Sequence, residues 1–191
     1  KDYQLAAGIS QDVEADDSIL ELTKARLPWL VLALFGGFIS VKIFGLFEPI
    51  MDNHPKLFLF TPLIAAMAGN VGVQSSAIIV QGIANNTIIG PIIKRLLKEL
   101  SLGLLNGIIL STILFLGSYF MLGFEIHIVY TVSIALFSVI IIASLIGTFI
   151  PIILNKYGID PALATGPFIT TSNDILGILV YFSIAKILLN I

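Results

Sequence analysis

The chain has 191 residues, 57% of them apolar and 12% charged, against roughly 45–50% and about 25% in ordinary soluble domains. A soluble globule of this size cannot bury so much apolar surface. Ten Lys and Arg against twelve Asp and Glu leave a formal charge of −2, so the basic excess that tracks a phosphate backbone is missing and nucleic-acid binding has no support. No cysteine is present, which excludes disulfides, thiolate metal sites and cysteine nucleophiles. What remains points to the bilayer.

Residues 1–28 hold six acids (Asp2, Asp12, Glu14, Asp16, Asp17, Glu21) and three bases (Lys1, Lys24, Arg26), whereas residues 29–191 hold six acids and seven bases. A short acidic head therefore precedes a hydrophobic body. The order is wrong for a secretory signal, which places basic residues first and its apolar run second. The chain opens on Lys1 rather than Met and is expected to be a fragment or processed form. Ser10 is predicted to cap a helix with Asp12, Glu14, Asp16 and Asp17 in its first turns and Lys24 and Arg26 at its end, which suits the helix dipole. The expected division is a cytosolic connecting helix and linker over residues 1–26 and a five-helix membrane domain over residues 27–191. A plain solvated helix competes with an acidic collar that gathers cations at a pore entrance.

A bilayer core of about 30 Å needs roughly 20 apolar residues at 1.5 Å each. Cutting the body at its charges yields five such runs. The first is Leu27–Phe47, interrupted by Lys42, and the second is Leu57–Ala84, ended by Asn85-Asn86-Thr87 and Gly90-Pro91. The third lies between Glu99 and Glu125, the fourth between Glu125 and Lys156, and the fifth runs from Asp160 to Leu189. The predicted fold is all-α, a polytopic membrane protein with five transmembrane helices. Lys24, Arg26, Lys94, Arg95, Lys98 and Lys156 share one side, against Lys56 and Lys186 on the other. The positive-inside rule then puts the amino terminus in the cytoplasm and the carboxyl terminus outside a plasma or inner membrane. Glu99 is expected at the interface, and His54 and His127, 73 positions apart, in solvated outer loops without zinc-site spacing.

Two polar stretches interrupt the apolar spans. An ionised Asp at the bilayer centre costs on the order of 2.5–3.5 kcal/mol, so Asp174 is retained where it faces protein, water or an ion. Helical spacing places Pro167, Thr170, Thr171, Gly177 and Tyr181 on its face, and Lys42 and Lys186 lie too far toward the outer side to pair with it. The second stretch, Gly69-Asn70-Val71-Gly72-Val73-Gln74-Ser75-Ser76, presents Asn70, Gln74 and Gln81 on one face, with Gly69 and Gly72 permitting close approach. Such polar residues also serve as interhelical hydrogen-bonding glue. Pro62 and Pro167 precede the two stretches in spans of opposite direction, a faint inverted repeat.

One carboxylate among amides, hydroxyls and freed carbonyls makes an all-oxygen environment suited to hard cations. A single Asp does not balance a divalent ion, whereas two chains on a two-fold axis bring together two charges. The economical arrangement is a homodimeric pore. Mg²⁺ fits because it keeps its water and takes one or two carboxylates, while sodium or a proton relay is left open by the residues alone.

Arg26-Leu27-Pro28-Trp29-Leu30, Gly69-Asn70-Val71-Gly72-Val73-Gln74-Ser75, Leu97-Lys98-Glu99-Leu100, and Asp160-Pro161-Ala162 with Asn173-Asp174-Ile175-Leu176-Gly177 resemble, in order and spacing, the MgtE magnesium channel/transporter family. The resemblance covers about Ala25 to Leu189. It implies a homodimer in the lipid bilayer with a Mg²⁺ pore lined by helices two and five, and Asp174 holding the hydrated ion. It also implies a backbone contact from Thr170 and a facing segment at Gly69, Asn70 and Gly72, with Asn173, Gln74, Thr171 and Gly177 along the pore. Family members carry cytosolic regulatory domains, of whose connecting helix this chain would hold only the tail, about Ser10–Arg26. The rivals are a proton- or sodium-coupled secondary transporter and a non-transporting membrane subunit. No catalytic set, phosphate loop or cofactor motif supports an enzyme.

Overall fold

A computed structural model describes residue 4 and residues 6–88, 90–164 and 166–190. Its principal helices are α1 (Ile19–Leu46), α2 (Thr61–Ala84), α3 (Ile92–Leu116), α4 (Ile126–Lys156) and α5 (Pro167–Leu188). With short helical extensions on α2 and α3, all five are long and apolar enough to cross a membrane. No strand occurs among the described residues, and the all-α, five-span class stands.

Three helix starts differ from expectation, each for a local reason. Ser10 caps no helix; its backbone N–H and its hydroxyl both donate to the carbonyl of Ala25. The first spanning helix instead starts after Ser18, which forms a reciprocal capping box with Glu21, satisfying two orphan N–H groups at once. It then runs unbroken past residue 26, with Pro28 inside it. The third helix starts at Ile92, seven residues before Glu99, because Lys94, Arg95, Lys98 and Glu99 are good helix formers at a bilayer edge. The fifth starts at Pro167 rather than near Asp160. Pro161–Ala164 forms a separate 3₁₀ turn, and Gly166, at φ 66°, takes a left-handed conformation that only glycine adopts freely.

The central helix is α4, which packs on α2, α3 and α5, while α2 also packs on α5 and α1 lies against α5. Ile128, Val132, Ala135, Val139, Ile140 and Ala143 of α4 meet Ile64 and Ala68 of α2 and Tyr181, Phe182 and Ala185 of α5 in one core. The Tyr181 hydroxyl donates to the Leu57 carbonyl at 2.7 Å, satisfying both groups where no water reaches them. Close backbone approach brings α2 and α4 together: a Cβ added at Gly147 would lie 3.0 Å from Gly72 Cα. Only glycine permits that contact.

At the end of the bundle opposite Lys94 and Lys98, residues distant in sequence form a charged cluster. Lys56 pairs with Glu125 at 2.5 Å, and His127 Nε2 lies 3.2 Å from Glu125 Oε2. The rings of His54 and His127 meet edge to face at 6.4 Å, so the two histidines, with His127 exposed to solvent as expected, are also partners in one cluster. The Lys56 hydrogen bond and charge hold the Glu125 carboxyl below its ordinary proton affinity. A lowered value means that the stability Glu125 lends is present at neutral pH and is lost as pH falls through that value. In a ¹³C NMR titration, the Glu125 midpoint is expected to rise toward the ordinary carboxylate range in Lys56→Gln; an unchanged midpoint would show that the pair is not formed in solution.

Candidate functional site

Asp174 is the eighth residue of α5, about 10 Å along the helix at 1.5 Å per residue, and not at its middle. Its depth is set by its neighbour. A Cβ added at Gly69 would fall 2.8 Å from Asp174 Oδ1, and Gly69 stands at the centre of the 30-residue span Pro55–Ala84. The shorter α5 therefore starts inside the thickness spanned by α2, and the non-helical backbone at 160–166 is tolerable there only where protein or water covers it. The amino-terminal segment supplies part of that cover: an added Cβ at Gly8 would lie 2.9 Å from Pro167 Cδ, and Ala6 abuts Gly166.

The Asp174 side chain opens into a cavity of about 540 Å³ between α1 and α5. Small residues form the α1 wall (Ala33, Gly36, Gly37, Ser40), and Gly166, Pro167, Thr170, Thr171 and Asp174 form the α5 wall. The Thr170 hydroxyl donates to the Gly166 carbonyl at 3.0 Å, which leaves the hydroxyl's lone pairs free toward the cavity. Asp174 has no hydrogen-bond or ion-pair partner among the described residues. Lys42 and Lys186 are both exposed and neither reaches it. An acid left alone within a spanning helix is retained where it faces protein, water or an ion.

The other predicted site residues divide into two sets. Asn70 and Gln74 are exposed, as is Gln81 further along, so α2 carries a polar face that none of the described residues covers. Thr171 approaches Gly36 of α1, where an added Cβ would collide with its methyl group. Asn173, Gly72 and Gly177, by contrast, lie inside the protomer. Asn173 is 1% exposed and fills the notch that Gly72 leaves, while a Cβ at Gly177 would stand 2.8 Å from Ala68 Cβ. Both polar side-chain atoms of Asn173, Oδ1 and Nδ2, are buried without a hydrogen-bond partner.

Glu99 is not at the mouth of its helix. It lies two turns into α3, half-buried, and accepts a hydrogen bond from Ser75 of α2 at 2.6 Å. The serine is in the polar stretch already singled out, but nothing in the spacing of residues 75 and 99 predicts the contact. Among the described residues no three His, Asp or Glu side chains gather where they could hold a metal ion. Among the described residues the cavity between α1 and α5 is lined by one carboxylate, Asp174.

These features define a polytopic helical membrane protein with an unpaired acid in a cavity within its spans. The MgtE family profile, described as "Divalent cation transporter", matches residues 61–184, and the chain belongs to that family. It is 37% identical over 186 residues to the magnesium transporter MgtE of Bacillus subtilis, a match covering 97% of this chain and 41% of that protein. It is 33% identical over 188 residues to the magnesium transporter MgtE of Enterococcus faecalis, covering 97% and 41%. The corresponding protein of Thermus thermophilus is 30% identical over 185 residues, covering 96% and 41%. The chain thus spans about two fifths of the length of these relatives.

Proposed function

We propose that this chain is the membrane pore of a Mg²⁺ transporter, assembled as a homodimer in which α2 and α5 of each copy line one passage for hydrated Mg²⁺. The observation that carries it is the unpaired Asp174 in its cavity, beside a helix whose polar face none of the described residues covers. Two copies related by a two-fold axis supply two carboxylates, which balance a doubly charged ion and leave a monovalent one in excess negative charge. Mg²⁺ gives up water reluctantly, so the acids grip the ion through its hydration shell. Thr170 offers its backbone oxygen, Gly69 and Asn70 face the ion from α2, and Thr171 and Gln74 line the passage. Asn173, Gly72 and Gly177 set the distance between α2 and α5 from within the protomer.

Residues 1–26 fit the tail of a connector to regulatory domains in the cytoplasm, since α1 begins within them at Ile19 and runs on past residue 26 into the first span, and Ala6 and Gly8 touch the start of α5. With the basic residues of the short loops inside, the carboxyl terminus lies outside the plasma membrane. In proteoliposomes, Mg²⁺ influx is expected to follow a potassium-diffusion potential, negative inside, and to be indifferent to an imposed proton gradient. Uphill Mg²⁺ movement driven by protons alone would replace the channel with a coupled carrier, and no Mg²⁺ movement under either gradient would favour a non-transporting subunit.

A further inference from the structure

At the start of α3, Gly90, Pro91, Ile92, Lys94, Arg95 and Lys98, with Ile88 before them and Ile152 of α4 opposite, enclose a cavity of about 270 Å³. Three cations line it and no acid does. None of the three side chains has a hydrogen-bond or ion-pair partner among the described residues, and the neighbouring Glu99 is engaged by Ser75.

The placement is electrostatically unfavourable as it stands. A helix start carries a partial positive charge that favours acids, yet the first turn of α3 has none, and Pro91 makes no side-chain cap to its free amides. Three like charges at that end repel the dipole and one another. Orientation in the membrane explains why basic residues lie on this side, but not why they converge on a concavity. An anion held there would satisfy the amides and the three cations together.

The rest of the lining indicates which anion. Ile88, Ile92 and Ile152 form the cavity's apolar wall at the edge of two spanning helices, which suits a molecule with a charged head and a hydrocarbon body. We propose that this cavity binds the phosphodiester headgroup of an anionic phospholipid, with Lys94, Arg95 and Lys98 on the phosphate and the isoleucines against the glycerol and the first acyl carbons. The site is remote in sequence and chemistry from Asp174 and stands whether or not that residue binds an ion.

The test is native mass spectrometry of the detergent-solubilised chain titrated with phosphatidylglycerol, with phosphatidylcholine and with inorganic phosphate. The wild type is expected to retain phosphatidylglycerol at least about tenfold more tightly than phosphatidylcholine, a preference that falls as salt is raised. Lys94→Gln/Arg95→Gln/Lys98→Gln should lose most of the preference while melting like the wild type, whereas Lys156→Gln should keep it. Lys94→Arg/Lys98→Arg should also keep it, so a folding defect in the triple variant would not hide the answer. An equal preference in wild type and triple variant would overturn the site. Retention of inorganic phosphate in place of the lipid would overturn the lipid as its occupant.

Discussion

Asp174→Ala is expected to abolish Mg²⁺-dependent stabilisation of the protein and to reduce Mg²⁺ influx into proteoliposomes to near the lipid background. Hydrogen bonds to charged groups contribute about 1.5–3 kcal/mol each, and in the proposed two-fold dimer the substitution removes two at once, so about 3–6 kcal/mol is lost. At 1.36 kcal/mol per factor of ten, affinity at the site should drop roughly a hundredfold to ten-thousandfold. Asp174→Asn, which keeps the shape and removes the charge, should behave the same way. Stability in the absence of Mg²⁺ should move in the opposite direction. The carboxylate has no partner among the described residues, and an unpaired charge out of water is costly, so the Asn variant should melt higher than the wild type without the ion and gain nothing when Mg²⁺ is added. Binding raises the melting temperature only where a site exists. A folded Asp174→Asn protein that still shows the wild-type Mg²⁺ shift would remove Asp174 from the site.

Gly69→Ala is the second large effect, and it separates site from fold. The new methyl group would stand 2.8 Å from Asp174 Oδ1 and 3.3 Å from Thr170 Cγ2. The nearer atom is the end of a flexible side chain, which can swing away at little cost to the packing, but the carboxylate then leaves the position it holds against α2. Influx is expected to fall about tenfold or more, the loss that corresponds to about 1.4 kcal/mol, while the melting temperature without Mg²⁺ stays near that of the wild type. Gly147→Ala is the contrasting control. There the methyl group meets the backbone of Gly72, which has no such freedom, so stability drops by about 1–3 kcal/mol as in other overpacked contacts. If Gly69→Ala instead unfolds the protein and leaves flux per folded molecule intact, Gly69 acts in packing and not at the ion.

The five spans are legible in the sequence because charges are rare and fall where helices leave the apolar layer: Lys56, Lys94, Glu125 and Lys156 mark boundaries almost unaided. Asp174 is legible for the same reason, since an acid within an apolar run has few structural excuses. Helix starts are less so. The apolar run alone points to Leu27, but the capping box Ser18–Glu21 moves the start eight residues earlier, and the pair Pro161 and Pro167 with Gly166 moves the last helix seven residues later. That shift changes Asp174 from a mid-helix residue to one near the start of a helix that itself begins inside the span. Contacts between distant residues, such as Ser75 with Glu99 and His54 with His127, depend on how five rods are arranged around α4, which no periodicity encodes. The split between the buried Asn173 and its neighbour Asp174 follows from a turn of about 100° per residue only once the position of α2 is known.

The proposed pairing of two Asp174 side chains across one passage is tested most directly by cross-linking Asp174→Cys in native membranes with a short bifunctional thiol reagent. Covalent dimers are expected at this position, and none from Leu104→Cys on the exposed surface of α3. Dimers formed through residue 104 while residue 174 stays monomeric would place the two acids apart and contradict a shared Mg²⁺ between them.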